Sequence, residues 1–122
     1  MFKIALIEDD QTLAKYLAAA FKDDGSFEIL LAPDGEEGVK LVKMKKPDLI
    51  LLDIVMPKMN GLEALKIIKA DPTVKDITVI MLSNLSQHKD LDAAKKLGAL
   101  AFLVKVDMEP HEIVNKVKEY LK

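Results

Sequence analysis

The sequence contains no cysteine and no tryptophan, and only two of its 122 residues are histidine. Without cysteine the chain can form neither disulfides nor thiolate metal sites, and thiol catalysis is excluded. The two histidines, His88 and His111, are isolated in the sequence, which argues against a metal site built from imidazoles. A metal ion bound by this chain would therefore be held by oxygen ligands.

Long hydrophobic runs and an excess of one charge are also lacking. No apolar run approaches the ~20 residues of a membrane span, and the amino terminus has no signal-peptide pattern, so we expect a cytoplasmic protein without membrane contact. The net charge is −2, which does not indicate direct nucleic-acid binding. Half of the residues are hydrophobic and 31% are charged. This composition is typical of a soluble globular protein, and the length predicts a single domain over residues 1–122.

The dominant pattern is an alternation of short apolar segments with stretches of helical periodicity. The predicted strands are residues 3–7, 27–32, 49–53, 77–82 and 101–104. Five helical patterns follow these strands in turn, the last of them beginning at about Pro110. Buried strands that alternate with helices predict an α/β fold, in which helices cover both faces of a parallel sheet.

The third predicted strand ends on a carboxylate, Asp53. A helix cap at this position is disfavoured, because Pro57 restricts the preceding residue to extended conformations. The next helix start is Asn60, with Glu63 three residues later as in a capping box. Asp53 therefore opens a loop, and we interpret it as a functional group.

Polar side chains also terminate the other predicted strands: Glu8 and Asp9, Ser83, and Lys105. The carboxyl ends of parallel strands share one sheet edge, so these residues should converge with Asp53. Gathered carboxylates need positive charge nearby, which Lys105 and a hard cation such as Mg²⁺ would supply. Such a cluster suits phosphoryl transfer to an aspartate, with Ser83 donating a hydrogen bond to a phosphoryl oxygen.

Four motifs carry a resemblance to a known family. They are Ile7-Glu8-Asp9-Asp10, residues 51–57 with Asn60-Gly61, Met81-Leu82-Ser83, and Gly98-Ala99 followed by residues 102–105. Over essentially its whole length the chain resembles the receiver domain of two-component response regulators. The resemblance implies a CheY-like, flavodoxin-like fold: a doubly wound, five-stranded parallel sheet of order 2-1-3-4-5 with five helices.

The resemblance also implies a phosphoacceptor and a metal site. Asp53 would accept a phosphoryl group from a sensor histidine kinase or a phosphotransfer protein. Asp9 and Asp53 would bind Mg²⁺ directly, Glu8 would act through water, and the backbone carbonyl of Val55 would complete the protein ligands. The chain would be a signalling domain that promotes its own phosphorylation and dephosphorylation, and not an enzyme acting on a separate substrate.

The same resemblance implies how the signal leaves the site. Ser83 and Lys105 would contact the phosphoryl group, and Phe102 would turn inward when Ser83 moves toward it. We expect the changed surface to comprise residues 84–105 and the last helix, and to bind a downstream protein or output domain. The chain would act as a monomer or as a phosphorylation-dependent dimer.

Three departures from the family pattern lead to further expectations. Val106 replaces the usual proline after Lys105, so we expect a trans peptide or a strained exception there. Asn84 is larger than the residue common at its position, and it would crowd or hydrogen-bond the phosphoryl group. Val55 and Leu85 are apolar at positions that flank the phosphate, and we expect them to hinder water and prolong the phosphorylated state.

Two alternatives remain open on the sequence alone. The first is a receiver-like interaction module that is never phosphorylated, which is compatible with Val106 and Asn84. The second is an enzyme on a similar sheet, either an aspartate-nucleophile phosphatase or a flavin binder. A phosphatase would need a second acid two residues after Asp53, where Val55 stands. A flavin or nucleotide site favours Gly, Ser or Thr after the first strand, where this chain has acids.

Overall fold

The computed structural model describes residues 1–83 and 88–121, without the side chains of His88 and Lys89. The strands are Phe2–Ile7 (β1), Phe27–Ala32 (β2), Leu49–Asp53 (β3), Thr78–Ser83 (β4) and Ala101–Val104 (β5). The helices are Gln11–Asp24 (α1), Gly35–Lys45 (α2), Gly61–Ala70 (α3), His88–Lys96 (α4) and Pro110–Tyr120 (α5). None of the helices in this part of the chain is long and apolar enough to cross a membrane.

The five strands form one parallel sheet in the order β2-β1-β3-β4-β5. The predicted α/β class, strand order and number of helices are therefore confirmed. Each strand is followed by a helix that returns the chain to the amino edge of the sheet. All strands consequently end at the same edge, which positions their carboxyl-terminal residues together.

The hydrophobic core consists of two layers, one on each face of the sheet. One layer packs under α2, α3 and α4 and includes Val42, Leu65 and Ala94. The other packs under α1 and α5 and includes Phe21 and Val117. Every residue of β3 is buried, because this strand lies at the centre of the sheet with helices on both faces. That burial explains why its sequence is continuously apolar up to Asp53.

Three details differ from the sequence prediction. β1 begins one residue early, at Phe2, and β4 is shifted by one residue, so that Ser83 is the last residue of the strand. A short 3₁₀ turn, Lys105–Asp107, follows β5 and was not predicted. None of the described peptide bonds is cis. The bond between Lys105 and Val106 is therefore trans, which confirms the first of the two expectations for it.

Candidate functional site

A pocket of about 420 Å³ lies at the carboxyl edge of the sheet. Its lining residues are Glu8, Asp9, Asp10, Leu13, Asp53, Val55, Ser83 and Lys105. The structure thus brings together the five strand-terminal residues of the sequence analysis, with Val55 at the rim. The five residues come from the loop after β1, from β3 and β4, and from the turn after β5, which are distant in sequence and meet at one edge of the sheet.

The sheet register explains this convergence. Ile7 pairs with Leu52 across β1 and β3. Glu8 follows Ile7 and Asp53 follows Leu52, so the two acids begin at the same level of the sheet. Asp53 pairs with Leu82, one residue before Ser83. The strand ends are therefore aligned to within a residue, and their polar side chains share one edge.

Lys105 is the cationic centre of the pocket. Its Nζ forms an ion pair with Oε1 of Glu8 and donates a 3.0 Å hydrogen bond to Oδ2 of Asp53. The three side chains are almost fully buried, with exposed fractions of 8%, 1% and 6% for Lys105, Glu8 and Asp53. Burial alone would lower the pKa of Lys105, but the two carboxylates outweigh it and the pKa is raised above its ordinary value. The side chain therefore stays charged.

The two buried acids are incompletely compensated by this one ammonium. Burial raises the pKa of Glu8 to about 7, even though Lys105 and the Asp10 backbone lower it. Burial likewise raises the pKa of Asp53 above its ordinary value, and Lys105 offsets only part of that effect. The charged form of each acid is thus destabilised until more positive charge enters the pocket.

The residues present fit a hard divalent cation. Glu8, Asp9 and Asp53 each offer a carboxylate oxygen, and these oxygens lie within 4.8 Å of one another. Oε1 of Glu8 is buried and accepts no well-oriented hydrogen bond within the described residues, its contact with Lys105 being an ion pair. A small set of oxygen donors facing an open, polar pocket suits Mg²⁺, which retains several of its waters.

Two lining residues, Asp10 and Leu13, were not predicted as part of the site. Oδ1 of Asp10 accepts a 3.1 Å hydrogen bond from the backbone N–H of Leu13, which caps α1. The backbone N–H of Asp10 also donates to Oε2 of Glu8 at 3.0 Å, so the same residue orients the buried glutamate. The signal that could have identified Asp10 is an aspartate directly before a helical pattern.

The remaining predicted residues lie around the pocket or outside the described chain. Val55 is 63% exposed. Phe102 lies in β5 opposite Met81 and is half-buried against the core layer under α2, α3 and α4. Asn84 and Leu85 lie outside the described residues, so the expectations for them remain predictions.

The comparisons with known proteins agree on one family. The model for the response regulator receiver domain matches residues 4–118. The chain is 36% identical over 105 residues to the protein PilH of Pseudomonas aeruginosa, which covers 85% of this chain and 87% of that protein.

Two further relatives extend this picture. The DNA-binding response regulator MtrA of Mycobacterium tuberculosis is 28% identical over 120 residues, and the chain spans only 50% of its length. The crystal structure of the phosphorylated cyanobacterial phytochrome response regulator RcpA has a TM-score of 0.88 and 28% identity, covering 98% of this chain and 93% of that one. Receiver domains are signalling domains that bind Mg²⁺ at an acidic pocket. The chain, with its CheY-like fold and acidic pocket, belongs to the response regulator receiver domain family.

Proposed function

We propose that this chain is the phosphoacceptor of a two-component signalling system. Asp53 accepts a phosphoryl group from a phosphohistidine of a sensor kinase or phosphotransfer protein, in a reaction that depends on Mg²⁺. The observation that carries the proposal is the arrangement of Lys105, whose ammonium bridges the buried carboxylates of Asp53 and Glu8. An ammonium held this way lies beside the carboxylate that would carry the phosphoryl group.

The transfer exchanges one bond to phosphorus for another. A carboxylate oxygen of Asp53 forms the new bond while the bond from phosphorus to the donor imidazole nitrogen breaks, and the electron pair stays on that nitrogen. Lys105 offsets negative charge on the phosphoryl oxygens, and the Ser83 hydroxyl donates a hydrogen bond to one of them. Asp9, Asp53, the Val55 carbonyl and, through water, Glu8 would hold Mg²⁺, which when bound would supply further positive charge for those oxygens.

The phosphorylated aspartate would alter the surface of the molecule through β4 and β5. Phosphorylation adds negative charge and acceptor oxygens at the pocket, and these favour whichever arrangement of Ser83 and Phe102 contacts them best. The elements that follow, α4, β5 and α5, form the surface that would bind a downstream protein or output domain. RcpA, a similar chain crystallised in its phosphorylated form, supports the phosphorylation step of this proposal.

This proposal places signal output in a partner and not in direct nucleic-acid contact by this chain. MtrA is named as a DNA-binding protein, but the matching region covers half of its length. The net charge of −2 here does not favour phosphate backbones. Signalling as a monomer or as a phosphorylation-dependent dimer, in the cytoplasm, is consistent with the proposal.

The test is incubation with Mg²⁺ and acetyl phosphate, followed by intact-mass measurement. The wild-type chain should gain one phosphoryl group, and Asp53→Asn should gain none. Asp48→Asn is the matched control, because Asp48 is an exposed aspartate near the start of β3 and its loss should leave the gain unchanged. Chelation of Mg²⁺ should abolish the gain. A wild-type chain that never gains mass would instead support the receiver-like interaction module that is not phosphorylated.

A further inference from the structure

The segment between β3 and α3 contains a strained turn next to the pocket. Lys58 has a φ of +66°, and the backbone N–H of Met59 donates a 2.7 Å hydrogen bond to the carbonyl of Pro57. A three-residue turn with a positive φ at its centre is rare and strained. A strained backbone persists only where the surrounding structure holds it.

Contacts on both sides hold this turn in place. After the turn, the N–H of Gly61 donates a 2.7 Å hydrogen bond to the carbonyl of Ile54. On the α2 side, the carbonyl of Met59 approaches Gly35 so closely that a Cβ there would lie 2.3 Å from its oxygen. The backbone of the segment is therefore fixed at its end and against the first turn of α2.

The side chain of Lys58 adds the only ion pair that this segment makes among the described residues. Its Nζ lies 3.8 Å from Oδ2 of Asp34. Asp34 is buried, with 8% of its side chain exposed, whereas Lys58 is 65% exposed. The other oxygen of Asp34 accepts a 2.8 Å hydrogen bond from the N–H of Glu37 and caps α2. Asp34 is thus a rigidly held anion facing the strained residue.

We propose that the ion pair of Lys58 with Asp34 is a positioning pair for the pocket. It holds the strained turn, and through it the short segment that carries Val55, three residues before Lys58 and on the pocket lining. Neither side chain touches the pocket itself. The inference rests on the proposed function, because the Val55 carbonyl is one of the proposed Mg²⁺ ligands.

The experiment compares three variants of the pair with one matched control. Lys58→Met removes the charge, and Asp34→Asn removes the charge while retaining a good helix cap. Lys58→Arg keeps the positive charge on a side chain of similar length. Lys46→Met is the control, because Lys46 is an exposed lysine that also has a positive φ, 45°, and it has no acidic partner among the described ion pairs.

Two measurements report on the positioning role. The first is the Mg²⁺ dissociation constant from calorimetric titration. We expect Lys58→Met and Asp34→Asn each to weaken binding by about threefold, the scale of a partly exposed ion pair. The second is amide hydrogen exchange of Met59 and Gly61 in the metal-free protein, which should quicken in both variants. Lys58→Arg and Lys46→Met should match the wild type in both measurements.

Equal Mg²⁺ affinity and equal exchange in Lys58→Met and Lys46→Met would overturn the inference. Should Asp34→Asn fail to fold, Lys58→Met still decides the question, because Lys58 is exposed. A wild-type chain that binds no Mg²⁺ would overturn the proposed function, and the exchange of Met59 and Gly61 would still decide whether the pair holds the turn.

Discussion

At the scale of single residues, the pocket places one ammonium between two buried carboxylates. Lys105 contacts both Glu8 and Asp53, yet the pKa of each acid is raised because burial outweighs that contact. The site is therefore short of positive charge in the absence of metal. A cation that binds there relieves an existing cost, which couples metal binding to stability.

The raised pKa of Glu8 predicts a specific pH dependence for the metal-free protein. Folded Glu8 keeps its proton up to a pKa of about 7, whereas the unfolded chain releases it near the ordinary value of 4.5. Between these values the folded state binds more protons, so raising the pH favours unfolding. Glu8→Gln stays neutral throughout, so its unfolding free energy should fall less over this range and exceed that of the wild type above pH 7.

Urea unfolding in the presence of a chelator, across this pH range, measures the effect. Glu28→Gln is the control, because Glu28 is an exposed glutamate on β2 and should retain the wild-type pH dependence. Curves for Glu8→Gln and wild type that run parallel through this range would contradict the prediction.

The lifetime of the phosphorylated state is the second residue-scale prediction. Val55 lies on the pocket lining and is 63% exposed, so we expect its apolar side chain to shield the phosphoryl group from attacking water. Val55→Asn should shorten the lifetime of the phosphorylated chain, measured as loss of the phosphorylated mass after removal of the phosphodonor. Val106 is 71% exposed and does not line the pocket, so Val106→Asn is the control. Equal lifetimes for the two variants would remove the shielding role of Val55.

At the scale of elements, the junction of β3 and α3 leaves no room for a side chain at Gly61. A Cβ at Gly61 would lie 2.0 Å from the carbonyl oxygen of Asp53 and 2.8 Å from the Cα of Ile54. The first residue of α3 thus packs directly on the backbone of the proposed phosphoacceptor. Side-chain volume at this position must displace the strand end, because no flexible side chain is there to yield.

We therefore expect Gly61→Ala to lower the unfolding free energy by about 2–3 kcal/mol and to weaken Mg²⁺ binding. Gly25→Ala is the control: it has open space around its Cβ position but a φ of +85°. It should cost about 1 kcal/mol of backbone strain and leave Mg²⁺ binding unchanged. Unfolding in urea and calorimetric titration measure the two effects. A Gly61→Ala protein with wild-type Mg²⁺ affinity would show that the junction does not position the site.

At the scale of the whole molecule, the pocket lies off-centre on the sheet. Its residues come from the loop after β1, α1, β3 and the loop after it, β4 and the turn after β5, whereas β2 and the helix that follows it contribute none. We therefore expect charge added to Asp53 to act first on the half of the sheet that contains β4 and β5. Because β5 is an edge strand joined to α5 by the 3₁₀ turn, a shift there would reach the surface without crossing the core.

Phosphorylation should accordingly alter amide hydrogen exchange unevenly. We expect changes in Ala101–Val104 and Pro110–Tyr120, and little change in Phe27–Ala32 and Gly35–Lys45. The comparison is made by mass spectrometry before and after treatment with acetyl phosphate and Mg²⁺. Asp53→Asn treated in the same way controls for effects of the reagents. A uniform change over both halves would contradict a signal directed to β5 and α5.

Much of this architecture was predictable from local pattern. Apolar runs and helical periodicity predicted the number of strands and α-helices, and the strand boundaries to within a residue. They could do so because burial on one or both faces imposes a period on the sequence. The strand-terminal acids were predictable for a related reason: a carboxylate that ends a buried strand must lie at the sheet edge. The strand order came from the resemblance to a family, since periodicity carries no information on which strands are neighbours.

The sequence alone determined that Glu8, Asp9, Asp53, Ser83 and Lys105 would meet at one sheet edge. Only the tertiary structure decided that Lys105 bridges Asp53 and Glu8, and that Lys58 pairs with Asp34. Lys105 and Asp53 are 52 residues apart in sequence, and the pairing depends on side-chain direction, sheet register and a 3₁₀ turn. These properties arise from packing between elements, and no short stretch of sequence encodes them.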